Sequence, residues 1–90
     1  MKLTVEYLSQ LKEASGVNTE SFVIDKSILL NEFIKNYICK NEKLAEQLLD
    51  EKKEIKQILI VFLNDNICTI NETVLNSDAT ITLMFPIAGG

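Results

Sequence analysis

The sequence predicts an α+β fold: one mixed sheet of about five strands, with one principal helix packed across one face. Three observations predict it. The chain has 90 residues, enough for one core, since two would each be too small to be stable. Apolar residues alternate with polar ones in short runs near both ends, the signature of half-buried strands. Between those runs the apolar spacing changes to the period of a helix. A composition of 47 % hydrophobic and 24 % charged residues, with three glycines and one proline, suits an ordinary globular chain.

Lys2 to Leu8 alternates cleanly, with Leu3, Val5 and Tyr7 facing one way and Lys2, Thr4 and Glu6 the other. "SQLKEASG" follows as a short helical turn, with Gly16 placed to end it. Ser21 to Ile24 repeats the strand pattern, with Phe22 and Ile24 inward. In "DKSILLNEFIKNYICKN" the residues Leu30, Phe33, Ile34 and Tyr37 form one helical stripe. Asp25 or Ser27 is the expected N-cap, and Lys40-Asn41 the expected end. Leu44, Leu48 and Leu49, with Ala45 between, mark a second, shorter helix. "DEKKEIK" reads as a solvated connection. "QILIVFLN" is apolar from Ile58 through Leu63, which predicts a central strand covered on both faces. Asn64-Asp65-Asn66 supplies turn chemistry, Ile67 to Ile70 a short returning strand, and Asn76-Ser77-Asp78 a polar loop before the last strand, "TITLMF". The sheet face away from the helix is not fully covered, which makes it a natural partner surface.

Chemistry is sparse inside the domain. Nine basic residues against thirteen acidic ones give a net charge of −4, and there is no histidine. Nucleic-acid binding, which needs a basic face, is therefore not expected. The lack of histidine lowers the prospects of neutral-pH acid–base catalysis and of a metal site. The acidic balance favours a protein partner with a basic docking surface. Glu51 and Glu54 sit at i and i+3 within a charge run and read as a solvated face. Cys39 and Cys68 match no metal spacing and are expected as free thiols packed in the core of a reduced, cytoplasmic protein. The opening "MKLTVEYLSQ" alternates, unlike the apolar block of a signal peptide, and no run approaches a membrane span.

The remaining candidate is the ending, "FPIAGG". Gly89 and Gly90 follow an apolar run, and Pro86 stiffens the point of departure. Residues without a Cβ let a backbone enter a narrow channel. The terminal carboxylate is ionised at neutral pH and is a poor electrophile until it is converted to an acyl-adenylate. The reading is one domain over 1–90, with 86–90 as a flexible functional tail. A frayed end remains the alternative for such a terminus.

Three stretches carry a resemblance over essentially the whole length: "YLSQLKEASG", "VFLNDN" and "NSDATITLMFPIAGG". They resemble the ubiquitin-like β-grasp sulfur carriers of the MoaD/ThiS type, and most of all the small subunit of molybdopterin synthase. That family commonly has glycine where Ser77 stands before Asp78, and proline where Phe85 precedes Pro86. The resemblance implies a β-grasp fold and a chain that is not catalytic alone. A ubiquitin-activating-type adenylyltransferase would use ATP and Mg²⁺ to adenylate Gly90, and a sulfur source would convert it to a thiocarboxylate. The tail, with Gly89 for passage and Pro86, Ile87 and Ala88 as lining, would then enter a larger catalytic subunit. There it would donate sulfur to a cyclic pterin phosphate. This chain itself would hold no cofactor and no metal.

The resemblance also carries docking contacts onto Ile67 and Met84, with Phe85 beside them, although strand residues of this kind belong to a core as readily as to an interface. Three other readings stay open: a carrier serving thiazole or cysteine synthesis, a protein modifier joined through Gly90 to lysines, and a binding domain with an inert tail.

Overall fold

The computed structural model describes residues 1–86. Its elements are β1 (Lys2–Tyr7), α1 (Gln10–Ser15), β2 (Thr19–Val23), β3 (Ile28–Leu29), α2 (Leu30–Asn36), α3 (Glu42–Leu48), β4 (Ile60–Leu63), β5 (Asn66–Ile67), β6 (Val74–Leu75) and β7 (Ala79–Met84). Five strands make one mixed sheet in the order β2-β1-β7-β4-β5, and β3 and β6 pair in a separate two-stranded sheet. β1 runs parallel to β7, and every other pairing in the large sheet is antiparallel.

Register explains the layering. Cross-strand partners share a face, so Val5 beside Ile81, and Tyr7 beside Leu83 and Val61, form one continuous apolar row. These residues are buried against Leu30, Phe33 and Ile34 of α2 and Leu44 and Leu48 of α3. Phe33 lies edge-on to Phe22 at 5.2 Å and stacks on Tyr37 at 5.6 Å, which ties α2 to β2. All the large core side chains thus lie on the helix side of the sheet, as the alternating strands predict.

Local chemistry accounts for the turns. Leu11 N–H donates to the Leu8 carbonyl at 3.1 Å, and Ser9 sits between them at φ 53°, ψ −127°. That is the first central position of a type II′ turn, which normally falls to glycine. Gly16 at φ 80° closes α1, its N–H bonded to the Lys12 carbonyl. Asn64 and Asp65, at φ 48° and 71°, make the two-residue hairpin between β4 and β5 that their chemistry predicts. Asn64 also bridges to β7: its N–H donates to the Thr80 carbonyl, and its side-chain oxygen accepts from Thr80 N–H, each at 2.9 Å.

Four expectations change. The principal helix is shorter than expected: α2 ends at Asn36 and a 3-10 turn covers Ile38–Lys40, before α3, the expected second helix, begins at Glu42. Asn41 starts α3: its side-chain oxygen accepts from Lys43 and Leu44 N–H, a cap that asparagine favours. Neither Asp25 nor Ser27 caps α2. The chain is extended through Leu29 to pair β3 with β6, and Leu30 N–H is satisfied by the Thr73 carbonyl at 2.8 Å. The returning strand stops at Ile67, since the chain turns at Thr69, whose carbonyl accepts from Glu72 and Thr73 N–H. Finally, β7 and not β4 is the middle strand, and β4 has only its inward face covered: Val61 is buried, while Ile60 and Phe62 are half-buried on the open side.

Candidate functional site

The open face of the sheet is polar at one end and apolar at the other. Thr4 pairs with Thr80, and Glu6 with Thr82, across β1 and β7. Further along, Phe62 lies between Thr82 and Ile67, and Ile60 lies beside Met84. Ile60, Phe62 and Met84 are half-buried and Ile67 is 70 % exposed. Four apolar side chains thus form one patch on β4, β5 and the end of β7. Contiguous apolar groups of this kind mark interaction surfaces more often than chance exposure does.

The patch sits at the end of the last strand, next to the last described residues. Met84 is the last residue of β7, followed by Phe85 and the exposed Pro86. Phe85 resolves the choice between core and interface toward the core. It is 6 % exposed, and Lys56 Nζ lies 6.0 Å from its ring centroid, within range of a cation–π contact. It therefore anchors the chain just after β7 from beneath, while Met84 lies on the open face. Ile87, Ala88, Gly89 and Gly90, the predicted lining and reactive residues, lie outside the described residues.

The structure brings Ile67 and Met84 to one surface and adds Ile60 and Phe62, which sequence reasoning missed. The only signal was ambiguous: an uninterrupted apolar run arises whether the second face meets a helix or a partner. The turn block "VFLNDN" fixes the register that puts Phe62 beside Ile67.

The other polar chemistry is structural. Tyr7, 1 % exposed, donates its hydroxyl to Glu20 Oε1 at 2.7 Å. Burial, and then this bond and the Glu20 charge, push its pKa above the ordinary phenol range. Cys39 and Cys68 are free thiols, half-buried against the core. Burial pushes the Cys39 thiol up to about 11, opposed by the Lys35 charge, so it is a weak nucleophile. Cys68 Sγ lies 3.6 Å from the Val61 carbonyl, within range of a weak hydrogen bond. Among the described residues no group of His, Cys, Asp or Glu is arranged to hold a metal, and no helix is long and apolar enough to cross a membrane.

A mixed five-stranded sheet with helices packed on one face is the β-grasp architecture of the ubiquitin-like class of folds. The solved structures agree. Small archaeal modifier protein 1 from Haloferax volcanii superposes with a TM-score of 0.86 at 16 % identity, over 100 % of both chains. The protein of the same name from Methanosarcina acetivorans gives 0.76 at 20 % identity, over 99 % of this chain and 96 % of that one. A chain assigned as molybdopterin converting factor, subunit 1, from Pyrococcus furiosus gives 0.73 at 16 % identity, covering 97 % and 99 %. At such identities the likeness establishes the fold. No family model matches the chain, and no curated protein matches it in sequence. The fold expected from the sequence resemblance is the fold observed.

Proposed function

We propose that this chain is a ubiquitin-like carrier activated at Gly90, and that it serves as the sulfur-donating small subunit of molybdopterin synthase. The observation that supports this most directly is the placement of the Ile60–Phe62–Ile67–Met84 patch on the strands from which Pro86 departs. A partner seated on that patch is led directly to the tail. From Pro86, five residues reach at most about 17 Å, enough to thread a channel in a partner docked on the sheet.

The chemistry follows from a carboxylate that must be made electrophilic. An activating enzyme with ATP and Mg²⁺ transfers AMP to the Gly90 carboxylate and releases pyrophosphate. A sulfur donor displaces AMP and leaves a thiocarboxylate. In the larger catalytic subunit the sulfur passes to a cyclic pterin phosphate, and water restores the carboxylate. Gly89 lets the chain pass where a side chain would not. The anionic pterin is held by the larger subunit, because this chain carries a net charge of −4.

The test is intact-mass spectrometry after incubation with the cognate activating enzyme, ATP, Mg²⁺ and a sulfur donor. One oxygen at Gly90 is expected to be replaced by sulfur, and an unchanged mass would count against activation. Co-purification with a pterin-binding subunit separates the molybdopterin pathway from thiazole or cysteine synthesis.

The superposition on two archaeal modifier proteins favours a second reading, conjugation of Gly90 to lysines of other proteins. Lysine-linked Gly-Gly remnants in digests of the source cells would support it, and recovery of free carrier alone would not.

A further inference from the structure

Every cationic side chain of this protein is a lysine: its nine basic residues include no arginine. Its open sheet face holds a carboxylate and an aromatic ring on either side of a small residue. In register across β1, β7 and β4 stand Glu6, Thr82 and Phe62. All three are half-buried on the face away from the helices. Thr82 is the shortest of them, so the row dips between the carboxylate and the ring.

Adjacent strands lie about 4.7–4.9 Å apart, which sets the backbones at Glu6 and Phe62 about 9.6 Å from each other. Strand side chains stand roughly perpendicular to the sheet. A planar group over Thr82 is then about 4.8 Å from either wall. That is close enough to reach the carboxylate through its own N–H groups, and within the roughly 6 Å of a cation–π contact. Neither wall is already engaged by a cation. The one ion pair among the described residues joins Lys35 to Glu54, and the two cation–π contacts involve Tyr37 and Phe85. Lys2, the cation on the same face of β1, is four residues from Glu6, about 13 Å along the strand.

The row lies on a border. Thr4 and Thr80 form the polar row beside it, and Ile60 and Met84 the apolar row on its other side. A half-buried carboxylate there is partly desolvated, and a counter-charge brought by a partner offsets that cost. Guanidinium suits the place better than ammonium. It is planar and weakly hydrated, forks onto a carboxylate and stacks on rings, whereas an ammonium is a compact, strongly hydrated point charge.

We propose that the row Glu6–Thr82–Phe62 receives an arginine of the activating enzyme, seated over Thr82 between the carboxylate and the ring. A second copy of this chain cannot supply that group, because it has no arginine. The seat depends on the docking role proposed above for the Ile60–Phe62–Ile67–Met84 patch, and it adds the polar contact that selects the partner there. Adenylation precedes carriage of sulfur and conjugation alike, so the activating enzyme is the partner that both require. Apolar contact alone discriminates weakly, whereas a half-buried carboxylate left unpaired penalises a partner without a cation. Glu6 is thus a specificity-determining residue; it touches no reacting atom and acts on binding, not on the chemical step.

The experiment follows pyrophosphate release by the cognate activating enzyme as the full chain is varied in concentration. Glu6→Gln, which keeps the size of the side chain, should raise KM about tenfold with kcat unchanged. Glu6→Asp should recover part of that loss. Added salt should raise the wild-type KM, and that of Glu6→Gln much less. An unchanged KM for Glu6→Gln beside a raised KM for Phe62→Arg would overturn the arginine seat and leave the docking patch standing. A wild-type chain that is not activated at all would end the carrier reading and the named partner with it. A second arm needs no enzyme: the ¹⁵N-labelled full chain is titrated with the capped tripeptide Leu-Arg-Leu and with its Leu-Lys-Leu counterpart. Amide shifts at Glu6, Thr82 and Phe62 should saturate at millimolar peptide, on the order of 1 mM. Binding should be about threefold tighter for the arginine peptide, and Phe62→Leu should erase that preference. Absence of shifts, equal binding of the two peptides, or shifts confined to the helix side would overturn the proposal whatever the enzyme does.

Discussion

Tyr7 places a phenol at the end of β1, inside the apolar layer, with the Glu20 carboxylate as its acceptor. Its pKa is raised in the fold by burial first, then by Glu20, and that sets a sign. The folded state keeps the proton to higher pH than the unfolded chain, so the contribution is complete below about pH 10 and is lost as pH rises toward the folded pKa. Cys39, raised from 9.0 to about 11 by burial, acts in the same direction from pH 9 to 11. Urea unfolding at pH 7, 9 and 10.5 should therefore show falling stability across the alkaline steps. Tyr7→Phe should flatten the upper part of that fall, at a cost of about 1 kcal/mol at pH 7 for the lost hydrogen bond. Ser9 gives a test of opposite sign. Its φ of 53° with ψ −127° is a glycine conformation, so Ser9→Gly should raise stability by about 1 kcal/mol, measured by the same unfolding curves.

At the scale of elements, the face that Ile60 and Phe62 share with Ile67 and Met84 is the consequential one. Phe62→Arg should leave the fold intact, because Phe62 lies on the open side of β4. On the proposed function it should raise the KM of the activating enzyme for the carrier about tenfold or more, read by pyrophosphate release; an unchanged KM would remove the patch from docking. Phe33→Ala is the contrasting variant: it empties the Phe22–Phe33–Tyr37 cluster and should cost about 3–5 kcal/mol of stability. Sequence alone made much of this legible. Alternation placed β1 and β7, the stripe Leu30–Phe33–Ile34 placed α2, and Asn64-Asp65 placed the hairpin. The β3–β6 pair was not legible, because two residues carry no period. The outer face of β4 was not legible either: a continuous apolar run reads the same whether its second face meets a helix or a future partner. Ile67 and Met84 entered through resemblance to a family, and Ile60 and Phe62 needed the register.

For the whole molecule, fold and reaction are separable. Among the described residues the core cluster runs from Leu3 to Phe85, and on the proposed function the reacting atoms belong to Gly90, five residues further along the chain. Gly90 has no side chain to bury, so on the proposed function its deletion should leave the urea midpoint at that of the intact chain. The same deletion ends the chain at Gly89, one residue short, and a carboxylate displaced by about 3.5 Å no longer meets a nucleotide positioned for the longer tail. Misplacement of about 1 Å can cost a hundredfold in rate, so adenylation should fall below detection in a pyrophosphate-release assay. The two measurements together are diagnostic. Loss of both stability and activation would mean that the terminus is part of the fold, and retention of both would mean that it is inert. Retained stability with lost activation is expected of a domain whose sheet docks and whose last residue reacts. Phe85→Leu, with Lys56 still beside it, tests the link between them. It keeps an apolar root but removes the ring, so it should slow activation while the melting temperature moves only a few degrees.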